Sequence, residues 1–175
     1  MPDGSFYLLN MGPAGGYAVV GVGTGTPTTY AGTGTQFIYA GSRYVVALEV
    51  SGTYTHQSSI DLSFGQYEFT GTFVPEFFNP AKQSDVAGTF ANGAGLPAMT
   101  VDPDGNLVID SFLIAPCLIT GTIRPHGGTR VYDAELNFQP SSQCSARSYK
   151  GIAILNGKSL GFLMKEGYFL HVTKL

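Results

Sequence analysis

The sequence predicts an all-β protein, an antiparallel β-barrel or barrel-like sandwich with two related halves, and three observations predict it. Charged residues are only 12% of the 175, about half the share usual in soluble globular chains. Gly (24) and Pro (10) approach a fifth of the chain and aromatics reach 13%, so turn and strand residues crowd out the helix formers that a bundle or doubly wound protein needs. Apolar residues also recur with period two, as where Tyr44, Val46, Leu48 and Val50 alternate with Val45, Ala47 and Glu49. A 43% apolar content with a net charge of only −3 drives collapse rather than disorder. The length suits one domain, residues 1–175, with pseudo-repeat halves at 1–80 and 85–175.

The same alternation places strands at 5–10, 17–22, 35–40, 44–55, 59–64 and 67–74 in the first half. The Gly-rich stretches Gly12–Gly16 and Gly21–Gly34 read as strand bends and hairpin tips, because they lack the following helix and the lysine of a phosphate-binding loop. Residues 77–86, Phe-Phe-Asn-Pro-Ala-Lys-Gln-Ser-Asp-Val, are the one stretch expected to be helical or irregular, and they join the halves. Further strands follow at 88–91, 98–101, 107–111, 118–124, 130–138, 150–155, 160–164 and 168–174. Between the third and second of these lies Asp102-Pro103-Asp104-Gly105-Asn106, where Pro presets φ near −65° and Gly supplies a positive φ; a tight hairpin is expected. Its glycine stands fourth rather than sixth from the first Asp, which does not fit an EF-hand calcium loop. Gly71-Thr72-Phe73-Val74-Pro75 and Gly121-Thr122-Ile123-Arg124-Pro125 resemble each other, and Gly52-Thr53-Tyr54 and Gly88-Thr89-Phe90 echo them. Such glycines suit bends or bulges that curve a sheet toward closure, each with an aromatic ring over the gap. Closure or face-to-face packing is then how so many short strands limit their exposed edges.

Nine bases against twelve acids, with no Lys/Arg cluster, give no surface for a phosphate backbone, so nucleic acid is not an expected partner. Residues 1–81 hold one base (Arg43) against Asp3, Glu49, Asp61, Glu68 and Glu76, so any acidic face belongs to this half. No run of 18 apolar residues exists, and Met1-Pro2-Asp3-Gly4 is neither a signal peptide nor a lipid-attachment sequence. Cys117 falls in an apolar strand and Cys144 in a polar loop, with no CxxC and no histidine at metal spacing. One disulfide in an oxidising compartment is the natural reading, and two reduced thiols the alternative.

Residues 67–93, with Thr-Gly-Thr-Phe, a polar connector containing Pro80 and then Asp85-Val86-Ala87-Gly88-Thr89-Phe90, resemble a group of uncharacterised lipoproteins of proteobacteria. The resemblance continues through Cys117, Thr120-Gly121-Thr122-Ile123, Pro125, Val131-Tyr132-Asp133-Ala134-Glu135-Leu136-Asn137-Phe138, Cys144 and Gly151-Ile152-Ala153, covering roughly residues 67–155. It implies a periplasmic or outer-membrane location and Cys117 and Cys144 as disulfide partners. It brings no established activity. The leader, lipid-attachment cysteine and Gly-rich spacer of that group are missing from this chain, so membrane association is expected only through an anchor the chain does not carry.

Candidate chemistry is sparse. His56, His126 and His171 are far apart, with no i, i+2 or i, i+4 pair for a metal, so neither metal nor cofactor is expected. Asp133 and Glu135 share one strand face; pointed into a barrel beside Tyr132 they would bind a ligand or serve as acid and base of a small hydrolase, and on the outer face they serve solubility. Gly4-Ser5 and Gly41-Ser42 read as turn or strand-start residues rather than nucleophiles. Aromatics concentrate in the first half where charge is sparse, and the adjacent Phe77 and Phe78 cannot both face one side of a strand. The expectation is a non-enzymatic envelope protein that binds a small hydrophobic or glycan ligand, or a protein, through Phe77, Phe78, Tyr132, Asp133 and Glu135. The alternatives are an inhibitor or immunity protein presenting the loop 93–97 or 140–147 to a secreted hydrolase, and a hydrolase using Asp133 and Glu135.

Overall fold

The computed structural model describes residues 4–12, 15–40, 42–73, 75, 79–91, 97–109 and 117–175. The chain divides into two compact units, Met1–Pro75 and Glu76–Leu175. The first is a curled antiparallel sheet of six strands in sequence order: β1 (Ser5–Gly12), β2 (Gly15–Gly25), β3 (Thr29–Ala40), β4 (Ser42–Thr55), β5 (Ser59–Phe64) and β6 (Tyr67–Thr72). The second holds a short helix, α1 (Gln83–Val86), and eight strands: β7 (Gly88–Ala91), β8 (Pro97–Val101), β9 (Asn106–Ile109), β10 (Ile119–Pro125), β11 (Val131–Phe138), β12 (Arg147–Asn156), β13 (Ser159–Met164) and β14 (Phe169–Lys174). These eight close a barrel in the order β10-β11-β12-β13-β14-β7-β8-β9. The all-β antiparallel barrel that the sequence predicts is therefore present in the second unit, while the first is a half-barrel.

In the first unit β2 and β3 run further than the alternation predicts. Gly21–Gly25 and Thr29–Gly34 are strand residues, and only Thr26–Thr28 form the tip, where the Thr26 and Thr29 hydroxyls hydrogen-bond at 2.7 Å. The register puts Phe6 opposite Gly21, and Gly21 opposite Gly34, so all three share the inner face of the curl. A Cβ on Gly21 would lie 2.5 Å from the Phe6 ring, and one on Gly23 would lie 2.5 Å from the Tyr30 hydroxyl. The two rings cover these glycines and meet edge to face with centroids 5.6 Å apart. The Tyr30 hydroxyl donates to the Gly4 carbonyl at 3.1 Å. Val19, Val50, Leu62 and Phe64 form the buried core of this unit, flanked by Leu8, Leu48, Ile60 and Phe69.

The barrel interior is filled. Strict alternation sends Phe90, Met99, Leu107, Ile109, Ile119, Leu136, Leu160, Phe162 and Val172 inward, all buried, with Ile123 and Ala153 among them. One end is stopped by Val86 of α1 and by Tyr132, whose hydroxyl donates to the Lys82 carbonyl at 3.0 Å. Around the other end Phe138, Tyr149 and Tyr168 make a mutual cluster, with centroids 5.4 to 5.7 Å apart. Burial, with the Tyr149 hydroxyl alongside, raises the pKa of Tyr168. Gly121 sits opposite Leu136 where an added Cβ would collide with the Glu135 carbonyl oxygen, which lets β10 and β11 come close as the barrel turns.

The expected hairpin at 102–106 forms. Gly105 has φ +78°, the Asp102 amide donates to the Asn106 carbonyl at 2.9 Å, and the Asp102 carboxylate accepts from the Asn106 amide at 2.8 Å. The Asn106 side-chain amide also donates to that carboxylate at 2.7 Å, and this bond, with the backbone one, lowers the Asp102 pKa. Cys117 and Cys144 are joined in a disulfide with Cα atoms 5.7 Å apart, tying the approach to β10 to the loop after β11. Lys174 closes the seam between β14 and β7: it pairs with Phe90, and its Nζ donates to the Asp85 carbonyl at 2.7 Å.

Candidate functional site

The site is built by a mismatch in strand length. β4 has 14 residues and β5 has six. The hairpin at 56–58 sets Thr55 opposite Ser59, so β5 reaches only as far back as Val50, opposite Phe64. β3, by contrast, accompanies β4 from Ser42 to Thr53. Beyond Phe64 the chain reverses at Gly65, whose φ of +60° suits glycine, and returns as β6. Val45–Glu49 thus have β3 on one side and no strand among the described residues on the other.

Beside this open edge lies a notch of about 650 Å³. Its walls are Gln36 and Ile38 from β3, Val46–Glu49 and Ser51 from β4, and Ser63, Gly65, Gln66 and Tyr67 from the β5–β6 turn. The register puts Gln36 opposite Val46, and Val46 shares the inner face with Leu48 and Ile38. Val45, Ala47 and Glu49 point to the other face. Val45 is 56% exposed, Val46 45% and Tyr67 39%, so large apolar groups meet water here. Among the described residues Glu49 is the one charged residue of the lining. A smaller hollow of about 210 Å³ lies at the other end of the same sheet, around Tyr54–Ile60 and Gly71–Phe73.

The sequence-predicted residues are not gathered at one place. Tyr132 points into the barrel and is buried, whereas Asp133 and Glu135 alternate with it on the outer face. Burial and the charge of Asp85 raise the Tyr132 pKa. Asp133 accepts from the His126 ring Nδ1 at 2.9 Å, and Glu135 lies 3.4 Å from Lys150 Nζ with the Asn137 amide donating to it at 3.3 Å. Both carboxylates are engaged in surface pairs. Phe77 and Phe78 lie outside the described residues, as do residues 93–96 of the first candidate loop. The second, 140–147, is pinned by the disulfide and by the reciprocal backbone bonds of Ser141 and Cys144 at 3.0 and 3.3 Å.

Two features escaped the sequence reading. Gly157-Lys158-Ser159-Leu160-Gly161 has the spacing of a nucleophile elbow, but it spans the β12–β13 hairpin, with Ser159 paired to Asn156, and a strand rather than a helix follows. The notch was present in the strand lengths: once the hairpin at 56–58 is fixed, six residues of β5 cannot cover the first half of β4. Among the described residues no group of three or more His, Cys, Asp or Glu side chains is placed to hold a metal, and no helix is long and apolar enough to cross a membrane. The chain matches no protein-family model, no curated protein and no solved structure.

Proposed function

We propose that this is a non-enzymatic binding protein of the bacterial envelope, and that it binds at the notch beside β4 rather than inside the barrel. The observation that carries this reading is the notch itself: about 650 Å³, lined by the apolar Ile38, Val46 and Leu48 together with polar groups that include the buried Gln36, within the range of ligand sites. The barrel interior is occupied by its own side chains, so a ligand there would have to displace a packed core. The disulfide supports an oxidising, exported setting.

The test uses Nile red, an uncharged apolar dye. One dye per chain should bind with a blue-shifted emission, and Val46→Glu should abolish most of that signal. Dye binding that Val46→Glu leaves unchanged, or no binding at all, would overturn the assignment. A second reading, inhibition of a secreted hydrolase, is favoured by one feature: the loop 140–147 is exposed at 141–143 and 145–147 yet covalently pinned. Ser142→Arg in that loop would then weaken inhibition of a target hydrolase and leave Nile red binding intact.

A further inference from the structure

We infer that the notch takes an extended peptide segment of a partner protein, which adds to the sheet beside β4. The inference rests on the notch being the binding site and names what fills it.

The argument begins with the backbone. Every strand pair in the sheet is antiparallel, and β4 is hydrogen-bonded to β3 throughout Val45–Glu49 while its opposite side meets no described strand there. A strand with one open side presents a row of main-chain donors and acceptors at the spacing of another strand. Natural sheets blunt such an edge with Lys, Pro or a bulge. Val45-Val46-Ala47-Leu48-Glu49 contains none of these, and its register with β3 is unbroken. The open stretch is five residues, about 16 Å of extended chain at ~3.3 Å per residue. The space beside it continues the line of β5 past the Gly65 turn, so a guest aligned as β5 is aligned runs antiparallel to β4.

The two faces then dictate the guest's side chains. On the inner face it meets Val46 and Leu48, with Ile38 and the buried Gln36 of β3 beyond them, so alternate guest residues are chiefly apolar. On the outer face it meets Val45, Ala47 and Glu49. Among the described residues the only charge in the lining is that carboxylate, so a cation placed opposite Glu49 is favoured and an anion there is opposed. The recognised chemistry is a short β-forming segment, apolar at every second position, with Lys or Arg among the interleaved ones.

A random heptapeptide library displayed on phage, selected against the full chain, tests this directly. The enriched peptides should show that alternation. Fluorescein-labelled copies read by anisotropy should lose affinity about tenfold or more when N-methylation blocks alternate amides on one peptide edge, and should tolerate it on the other edge. Val46→Lys and, independently, Ala47→Lys should each weaken binding to a similar extent. Both positions are exposed, so their folding is checked by far-UV circular dichroism. Glu49→Gln should weaken the cationic peptides about threefold and flatten their salt dependence. The inference is overturned if no peptide is enriched over the Val46→Lys protein, or if N-methylation at either edge has no effect. It is also overturned if sedimentation shows a dimer that Val46→Lys dissociates, which would give the notch to a second copy. Nile red binding without peptide binding would leave the notch as a small-molecule site and remove strand addition; failure of both would remove the site.

Discussion

Replacing Cys117 and Cys144 together by Ala should destabilise the barrel by roughly 3.5 kcal/mol. The sulfurs are 27 positions apart in sequence and close a loop that contains all of β10 and β11. In the chain-entropy model a closed loop of about that length removes close to 12 cal/mol/K from the unfolded ensemble, about 3.6 kcal/mol at 25 °C. The interior position of Cys144, 8% exposed, adds a packing loss on the order of 1 kcal/mol when sulfur is removed. Residual β10–β11 hairpin in the unfolded chain acts in the opposite direction. Hydrogen exchange of the β10 and β11 amides reports the opening free energy of this unit without requiring both units to unfold together. Measured on oxidised protein, on protein reduced with dithiothreitol and on the double Ala variant, it separates the two contributions. Reduction alone should remove about 3 to 4 kcal/mol, and the double variant slightly more. A loss below about 1 kcal/mol on reduction would refute loop closure as the role of this disulfide.

Phe162, fully buried inside the barrel, should cost about 3 to 5 kcal/mol on Phe162→Ala, read from the urea midpoint. Gly121→Ala should prevent normal closure, because its Cβ would overlap the Glu135 carbonyl, whereas Gly128→Ala, with nothing within 4 Å, should change stability by less than about 0.5 kcal/mol; both are read by thermal melts. Asp133→Ala should cost no more than about 1 kcal/mol in the same melts, as expected of an exposed surface contact with His126. The Tyr168 pKa is raised by burial, so the folded state holds this proton more tightly than the unfolded chain does. The stability this contributes is complete below the ordinary tyrosine pKa near 10 and is lost as pH rises through the folded value. Tyr168→Phe should therefore flatten the fall in stability above pH 10 in alkaline urea titrations.

Much of this fold was legible because strands announce themselves locally. The strands 59–64 and 88–91 lie where the alternation puts them, and the hairpin at Asp102–Asn106 follows from its own turn residues. The Gly/Thr stretch from 21 to 34 was read as bends and tips because glycine has no strand preference of its own. It forms long strands because Phe6 and Tyr30, distant in sequence from those glycines, lie over them. Among the described residues of 77–86, the stretch expected to be helical or irregular, the helix is Gln83–Val86. The candidate site was less legible. Asp133, Glu135 and Tyr132 attract notice as chemistry, yet alternation along β11 sends Tyr132 inward and the carboxylates outward. Val46 and Leu48 carry no chemical signal. Their place in the candidate site comes from the lack of a neighbouring strand among the described residues, which depends on where β5 stops.

The seam between β14 and β7 sets an order of events in folding. Among the described residues it pairs Thr173 with Ala91 and Lys174 with Phe90, and the Leu175 amide donates to the Thr89 carbonyl at 3.1 Å, so groups some 80 positions apart must meet before the cylinder is complete. Such long-range pairing is slow relative to local hairpins. In a chain synthesised from its N-terminal end, β7 is made well before β14. Until then the barrel strands form an open sheet with β7 and β14 as its free edges, the form most exposed to aggregation and to holdase chaperones. Loss of residues 173–175 alone would leave the protein in that state.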